Sequence, residues 1–405
     1  MSSMFVVLAA LSLAAWIWLL LFHGMFWRIR EHLDDAPAPS EPAAWPTVVA
    51  ICPARNEAAV IAPAILSLLS QDYPGRFHVI LVDDSSEDGT AEVAAASADA
   101  RDKADRLDIV RAPAPPPGWA GKLWALQQGI EAARASEPKA PWLWFSDADI
   151  VASPTILRRL VAKARRDDLD LASLMVELSC RSFWERLLIP PFVFFFRKLY
   201  PFARVNDPRN PTAAAAGGCM LVRREALERA GGIERVRGAL IDDCTLAGLI
   251  KREGRAEGGR IWLGQTRSSR SIRPYEGIAG IWRMVARSAY TQLRHSPLLL
   301  IGTLLGMFVI YLVPPLTVLL LPLHGDALAV ALALAAWLAM SAAFWPTLRF
   351  YGQPDWVAPL LPIAASLYSA MTVDSALDHW RGRGGRWKGR VEASRADLAG
   401  PRSRG

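Results

Sequence analysis

Asp147 and Asp149 stand two residues apart in Trp142-Leu-Trp-Phe-Ser-Asp-Ala-Asp-Ile150, at the end of an apolar run. Carboxylates with this spacing, closing a buried strand, are held close together. A divalent cation such as Mg2+ or Mn2+ bound there takes one or two protein carboxylates and fills its other positions with water and phosphate oxygens. A second acidic pair, Asp242-Asp243, opens a predicted helix within Leu240-Ile-Asp-Asp-Cys-Thr-Leu246. Such a pair either caps the helix N-terminus, or one member takes the proton from an attacking hydroxyl as a general base.

Four other clusters carry chemistry with an equally plain alternative. Pro53-Ala-Arg55-Asn56-Glu57 follows an apolar run and reads either as a capped turn or as part of a nucleotide pocket. In Asp83-Asp84-Ser-Ser-Glu-Asp88-Gly-Thr90, Asp84 or Ser85 could cap the next helix with Asp88 in its first turn. The other reading has one carboxylate accept hydrogen bonds from a nucleobase or ribose. Lys122, after Gly121, either reaches a diphosphate or is simply solvated, and GWAGKL lacks the GxxxxGK[ST] spacing of a P-loop. Gly217-Gly218, leading to Cys219 in the small-residue run 213–220, either lets a ligand approach the backbone or makes a tight turn. Gly231-Gly232 reads as a helix C-cap.

The elements that position these groups alternate as in a parallel α/β sheet. Strands are predicted at 47–52, 77–82, 107–110 and 142–145, with helices at 57–70, 88–98 and 121–135. Open α/β sheets bind ligands beyond the carboxyl ends of their strands. Every acidic cluster in this half of the chain falls there.

Long apolar segments flank this half. Residues 1–28 read as an uncleaved membrane anchor, 29–46 as a linker, 47–296 as the catalytic domain, 297–377 as membrane segments and 378–405 as a basic tail. Met1 to Met4 carry no basic residue, whereas Arg28 and Arg30 follow the first apolar run. This places the N-terminus outside and the catalytic domain in the cytoplasm of a multi-pass protein of the inner membrane. The net charge of +7 is concentrated beside the apolar segments, which favours anionic lipid as its partner and not nucleic acid. Three C-terminal segments, 298–323, 326–346 and 356–373, would leave the basic tail outside if all crossed. One of them is therefore expected to be re-entrant or interfacial. Segment 182–205 mixes Phe183, Trp184, Phe192 and Phe194 to Phe196 with Arg and Lys and is interrupted by Pro190-Pro191. It is predicted to be a helix pair in the headgroup region, the alternative being a buried hairpin. Cys52, Cys180, Cys219 and Cys244 form no CxxC pair and read as reduced packing residues.

Taken in order, PARNE at 53–57, VDDSSEDGT at 82–90, GK at 121–122, SDAD at 146–149, GGCMLVRREAL at 217–227 and IDDCTLA at 241–247 resemble family 2 glycosyltransferases. That resemblance implies a GT-A fold, a Rossmann-like, mostly parallel α/β sheet, here with transmembrane helices at both ends. It implies a nucleotide-sugar donor, of the UDP class, bound by Pro53, Arg55, Asn56, Glu57, Asp83, Asp84, Lys122 and Asp147. It also implies Mg2+ or Mn2+ at Asp147 and Asp149, an acceptor pocket at Gly217, Gly218 and Cys219, and Asp243 as base with Asp242 beside it. The Gln/Arg-x-x-Arg-Trp stretch of processive members is reduced here to Met284-Val-Ala-Arg287-Ser288, leaving Arg287 to meet the diphosphate. This favours transfer of one sugar over polymer synthesis. MVARSAYTQLRHSP, YLVPP, PTLRFYG and the tail MTVDSALDHWRGRGGRWKGR resemble bacterial hopene-associated glycosyltransferases, which implies a lipid acceptor. The alternatives are a processive polysaccharide synthase and a non-catalytic membrane scaffold.

Overall fold

The computed structural model describes residues 2–34, 44–256, 258–382, 386–387 and 390–391. Parts of the predicted linker (35–43) and of the basic tail (383–385, 388–389 and 392–405) lie outside the described residues. The chain forms two compact units. One contains the sheet and is built from Glu31–Leu178 and Arg204–Arg273. The other contains the apolar helices and is built from Met1–Arg30, Ser179–Ala203 and Pro274–Gly385. Residues 182–203 and 274–296 thus group with the apolar helices and not with the sheet.

The sheet has eight strands: β1 (Val48–Ala54), β2 (Phe77–Asp83), β3 (Leu107–Arg111), β4 (Trp142–Ser146), β5 (Ile150–Val151), β6 (Leu171–Glu177), β7 (Cys219–Arg223) and β8 (Ile261–Ser271). Their order is β3-β2-β1-β4-β7-β6-β8-β5. The first four are mutually parallel. β7 runs antiparallel to both β4 and β6, and β8 returns parallel to β6. β1 is buried along its whole length, as its unbroken apolar run requires of a central strand covered on both faces. Helices Ile61–Leu69 and Ile156–Arg166 cover one face through Ile61, Ile65, Leu157 and Leu160. Helix Gly121–Ser136 packs on β1 and β2, where a Cβ at Gly129 would stand 2.3 Å from Ile51 Cγ2 and 3.0 Å from Val82 Cγ2. Gly129→Ala is accordingly expected to overpack this contact and to cost about 1–3 kcal/mol. Chemical unfolding of wild type and variant checks this, and an unchanged midpoint would show that helix and sheet can separate freely.

Two predicted helix starts are corrected. The helix expected from residue 57 begins at Ile61, and the one expected from Asp88 begins at Thr90. The cause is a hydrogen-bonded clasp between the β1 and β2 loops. Asn56, at φ +51°, donates its N–H to Ser86 Oγ and accepts from Glu87 N–H. The Glu57 N–H bonds Thr90 Oγ1, and the Ala58 N–H bonds Asp88. These residues spend their polar groups on each other and not on helix turns. Neither Asp84 nor Ser85 caps a helix, since the N-cap position belongs to Gly89. Gly231-Gly232 does form the expected C-cap. Gly231, at φ +87°, and Gly232 donate to the Glu228 and Leu227 carbonyls, closing a Schellman turn.

Among the described residues of the other unit, four helices are long and apolar enough to cross a membrane: Ser3–Phe22, Pro297–Leu319, Ala327–Phe350 and Asp355–Trp380. The aromatic segment holds two helices, Phe183–Leu199 and the short Phe202–Asn206, but Pro190 and Pro191 do not separate them: the first helix continues through both and starts from a Ser182/Glu185 capping box. The two prolines remove ladder donors, and burial of Leu188, Ile189, Val193 and Phe194 offsets that loss. Its rings divide between surface and core, with Phe183 exposed. Phe194 is fully buried with its centroid 5.3 Å from both Phe26 and Phe344, and Phe195 packs on Tyr311 and Tyr368. Phe194→Ala is expected to destabilise this unit by about 3–5 kcal/mol, the usual cost of emptying a buried aromatic site. Thermal unfolding in detergent measures it, and a wild-type melting point would return the ring to the lipid face.

Candidate active site

The carboxyl ends of β1, β2 and β4 point the same way, so the loops after Ala54, Asp83 and Ser146 gather at one edge of the sheet. Two clusters form there. In the first, Lys122, at the start of helix Gly121–Ser136, sets its Nζ 2.7 Å from Asp147 Oδ1 and 3.8 Å from Asp242 Oδ2. Asp243 accepts the Gly217 N–H at 2.9 Å through Oδ2 and the Cys244 N–H at 2.7 Å through Oδ1. Pro53, Lys122, Asp147, Gly217, Asp242 and Asp243 together line one small cavity. A Cβ at Gly217 would crowd the site, meeting Asp243 Oδ2 at 3.2 Å and Lys122 Nζ at 3.5 Å.

Neither Asp242 nor Asp243 occupies the N-cap position, although Asp243 does accept the first-turn N–H of Cys244. The helix Asp242–Glu253 has Ile241 at its N-cap and no side-chain cap bond. Burial, and then the neighbouring charge of Asp242, push the Asp243 carboxyl up to about 6, against the opposing pull of Lys122 and the two N–H donors. A carboxylate with that affinity for protons suits proton transfer near neutrality. Burial alone would lower the Lys122 ammonium, but Asp147, Asp242 and Asp243 together hold it above its ordinary range.

The second cluster centres on a residue not singled out in the sequence. Arg273 donates from Nε to Asp149 Oδ2 at 3.2 Å and pairs through Nη2 with Glu57 Oε2. Ser271 Oγ donates to the same Asp149 oxygen at 2.9 Å. Burial and the charge of Asp147 push the Asp149 carboxyl above its usual value, while Arg273 and Ser271 oppose the shift. Arg273 was missed because Thr266 to Ser271 reads as a polar loop. It is in fact the end of β8, and that strand delivers the arginine. Along the β1/β2 loops, Arg55 pairs with the fully buried Asp84 at 3.7 Å, and Asp83 Oδ1 accepts the Ser86 N–H at 3.1 Å.

Two expected site residues are placed elsewhere. Cys219 begins β7 with its thiol turned into the sheet, where Trp144 Nε1 donates to Sγ at 3.4 Å, so it does not line the cavity. Burial pushes that thiol up to about 12, which makes it an inert packing group. Cys52, Cys180 and Cys244 are likewise unbridged. Arg287 is exposed at the end of helix Gly277–Ala286 in the unit of apolar helices. Gly218 stands behind Asp147, whose N–H bonds the Gly218 carbonyl.

Residues 49–231 match the sequence model of the family described as glycosyl transferase family 2. They form a family 2 glycosyltransferase domain. No curated protein matches the chain. Among solved structures, the transferase is similar to the mannosyltransferase PcManGT from Pyrobaculum calidifontis in complex with GDP-Man and Mn2+. The two share 20% identity over 94% of this chain and 99% of that one, at a TM-score of 0.54. Two other solved structures are similar at a TM-score of 0.39. Glucosyl-3-phosphoglycerate synthase from Mycobacterium tuberculosis with Mg2+ and uridine diphosphate is 20% identical over 62% of this chain and 79% of its own. S. aureus TarS with UDP-GlcNAc is 15% identical over 85% and 95%. The GT-A fold expected from the sequence is the fold of the transferase domain.

Asp147 and Asp149 fit a hard divalent cation. Both offer carboxylate oxygens, and the charge of Asp147 adds to the burial that raises the Asp149 carboxyl, so the two carboxylates sense each other. Among the described residues no three His, Cys, Asp or Glu side chains gather into a cage. Two carboxylates completed by water and phosphate oxygens are the usual protein share of a Mg2+ site.

Proposed function

We propose that this transferase is a multi-pass enzyme of the inner membrane, with its catalytic domain on the cytoplasmic side. It moves a single sugar from a nucleotide sugar to a lipid hydroxyl and inverts the anomeric carbon. The observation that carries this reading is the shared cavity of Asp243, Lys122 and Asp147 in a chain with four membrane-length helices. Asp243 accepts the proton of the acceptor hydroxyl. The freed oxygen attacks the anomeric carbon, and the bond from that carbon to the diphosphate oxygen breaks on the opposite side. Lys122 holds the diphosphate, while Arg55, Asn56, Glu57, Asp83 and Asp84 line the nucleoside side. Bound at Asp147 and Asp149, Mg2+ or Mn2+ would supply Lewis-acid charge to the departing diphosphate.

The acceptor proposed is a polyhydroxylated lipid of the hopanoid class. It is supported by the resemblance of the segments around Arg287, Tyr311, Arg349 and Asp374. The unmatched Met284-Val-Ala-Arg287-Ser288 stretch supports transfer of one sugar. The purified protein in nanodiscs is to be given UDP-sugars and GDP-sugars in turn, with a hopanoid polyol, and the lipids read by mass spectrometry. A product heavier by one sugar supports the reading. A ladder of sugars would make the protein a polymer synthase, and donor turnover without lipid product would remove the lipid acceptor.

A further inference from the structure

We propose that segment Asp355–Trp380 does not cross the membrane but dips into it and returns to the face it came from. The chain then crosses three times, with Arg28, Arg30 and the residues following Trp380 all on one face. This rests on the reading that the apolar helices lie in a bilayer, and it concerns only the unit that contains them.

The contacts fix the direction of each helix. Phe5, near the start of Ser3–Phe22, stacks on His324, just past the end of Pro297–Leu319, with ring centroids 4.5 Å apart. Midway along, Trp16 Nε1 donates to the Ile310 carbonyl at 2.9 Å. The first two helices are therefore antiparallel, and Arg28 and Ser296 share a face. Ala327–Phe350 follows the turn at Gly325 and runs back, bringing Phe344 through Phe194 to Phe26. Its end lies on that same face.

If Asp355–Trp380 crossed next, it would finish on the far face. Both of its ends instead meet residues of the first face. At its start, Asp355 pairs with Arg349 at 3.7 Å, at the end of the preceding helix. At its finish, His379 stacks on His295 with centroids 4.1 Å apart, and Ser375 Oγ accepts the Tyr290 N–H. Leu300 and Ala376 share a small core with Tyr290. His295 lies just before the second crossing and Leu300 in its first turn.

Between these ends the segment is deep. Trp337 Nε1 donates to the Pro359 carbonyl at 3.0 Å. Trp337 lies near the middle of Ala327–Phe350, so this bond sets Pro359 below the face, alongside the inner part of that helix. The segment passes from the 3-10 turn Asp355–Leu360 to helix Leu361–Trp380 between Pro359 and Pro362, and the proposed return is placed at this junction. Prolines there remove the ladder bonds that would keep the segment straight, and such broken backbone is tolerated at membrane depth where protein packs around it. The exposed Trp356 and Trp380, at the two ends, are suited to anchor at one interface.

The test uses the full chain with an epitope placed in turn after residue 38, at Gly325 and at the C-terminus, probed by impermeant antibody before and after permeabilisation of spheroplasts. The expected result is that the first and last epitopes are protected together and the Gly325 epitope is accessible from outside. A C-terminal fusion to a reporter active on only one side of the membrane gives a second readout free of loop insertions. A C-terminus on the side of Gly325 by either readout overturns the proposal. Release of the protein by alkaline carbonate would overturn the membrane reading beneath it.

Discussion

Asp243→Asn is expected to leave donor binding near wild type and to lower sugar transfer by roughly 10² to 10⁴, the usual worth of a positioned general base. The exchange keeps the shape of the side chain and one of its two acceptor oxygens; with that oxygen toward the Gly217 N–H, only the Cys244 N–H loses its acceptor. The pH profile makes the assignment specific. A base must be unprotonated to work, and burial with Asp242 pushes the Asp243 carboxyl up to about 6. Activity should rise as the pH climbs through that value and be lost below it. The groups that set this limb are Asp242, Lys122 and the N–H groups of Gly217 and Cys244. Asp242→Asn removes a like charge and should move the limb to lower pH at a smaller cost in rate. Steady-state rates from pH 5 to pH 8 on the three proteins decide the matter. A limb that survives in Asp243→Asn, or a greater loss in Asp242→Asn, would move the base to the neighbouring residue.

The parallel half of the sheet was legible because its strands are short apolar runs that end in charged residues. β1, β2, β3 and β4 fall within two residues of their predicted ends. The other half was not read. β6 is an ordinary apolar strand, but β7 follows a run of alanines and glycines, and β8 ends in Thr-Arg-Ser-Ser-Arg-Ser. Polar residues at the end of a strand look like a loop until a partner strand is known, and β5, the partner that pairs there, has only two residues. That gap hid Arg273. The acidic residues were found because carboxylates crowded after buried strands are costly unless paired. Their partners were less visible, since Lys122 and Arg273 are brought to them only by the folded sheet. The two helix starts were misplaced for a related reason: Asn56, Asp88 and Thr90 bond across 30 or more residues, and local propensity does not report such bonds. For the aromatic helix, composition does not say which way each ring points. Phe194 has the residue type of an interfacial anchor and the burial of a core residue.

Asp149→Ala is expected to abolish transfer while the protein stays folded and inserted. Losing one of two carboxylates that hold the cation should cost several kcal/mol of transition-state stabilisation. That amounts to a rate loss of about 10³ at 1.36 kcal/mol per factor of ten. Chelation of wild type should have the same effect, and added Mn2+ should restore wild type but not the variant. Asp149 also accepts from Arg273 and Ser271, so a purely structural role is the competing explanation. The two roles separate by variant and by readout. Arg273→Gln removes the structural partner and keeps both carboxylates, so it should lower the melting temperature more than it weakens Mn2+ binding in the presence of nucleoside diphosphate. Asp149→Ala should do the reverse, with Mn2+ binding followed by its electron paramagnetic resonance signal. Full activity in a chelator, together with an active Asp149→Ala, would remove the cation from this site and leave Asp149 as an anchor for Arg273.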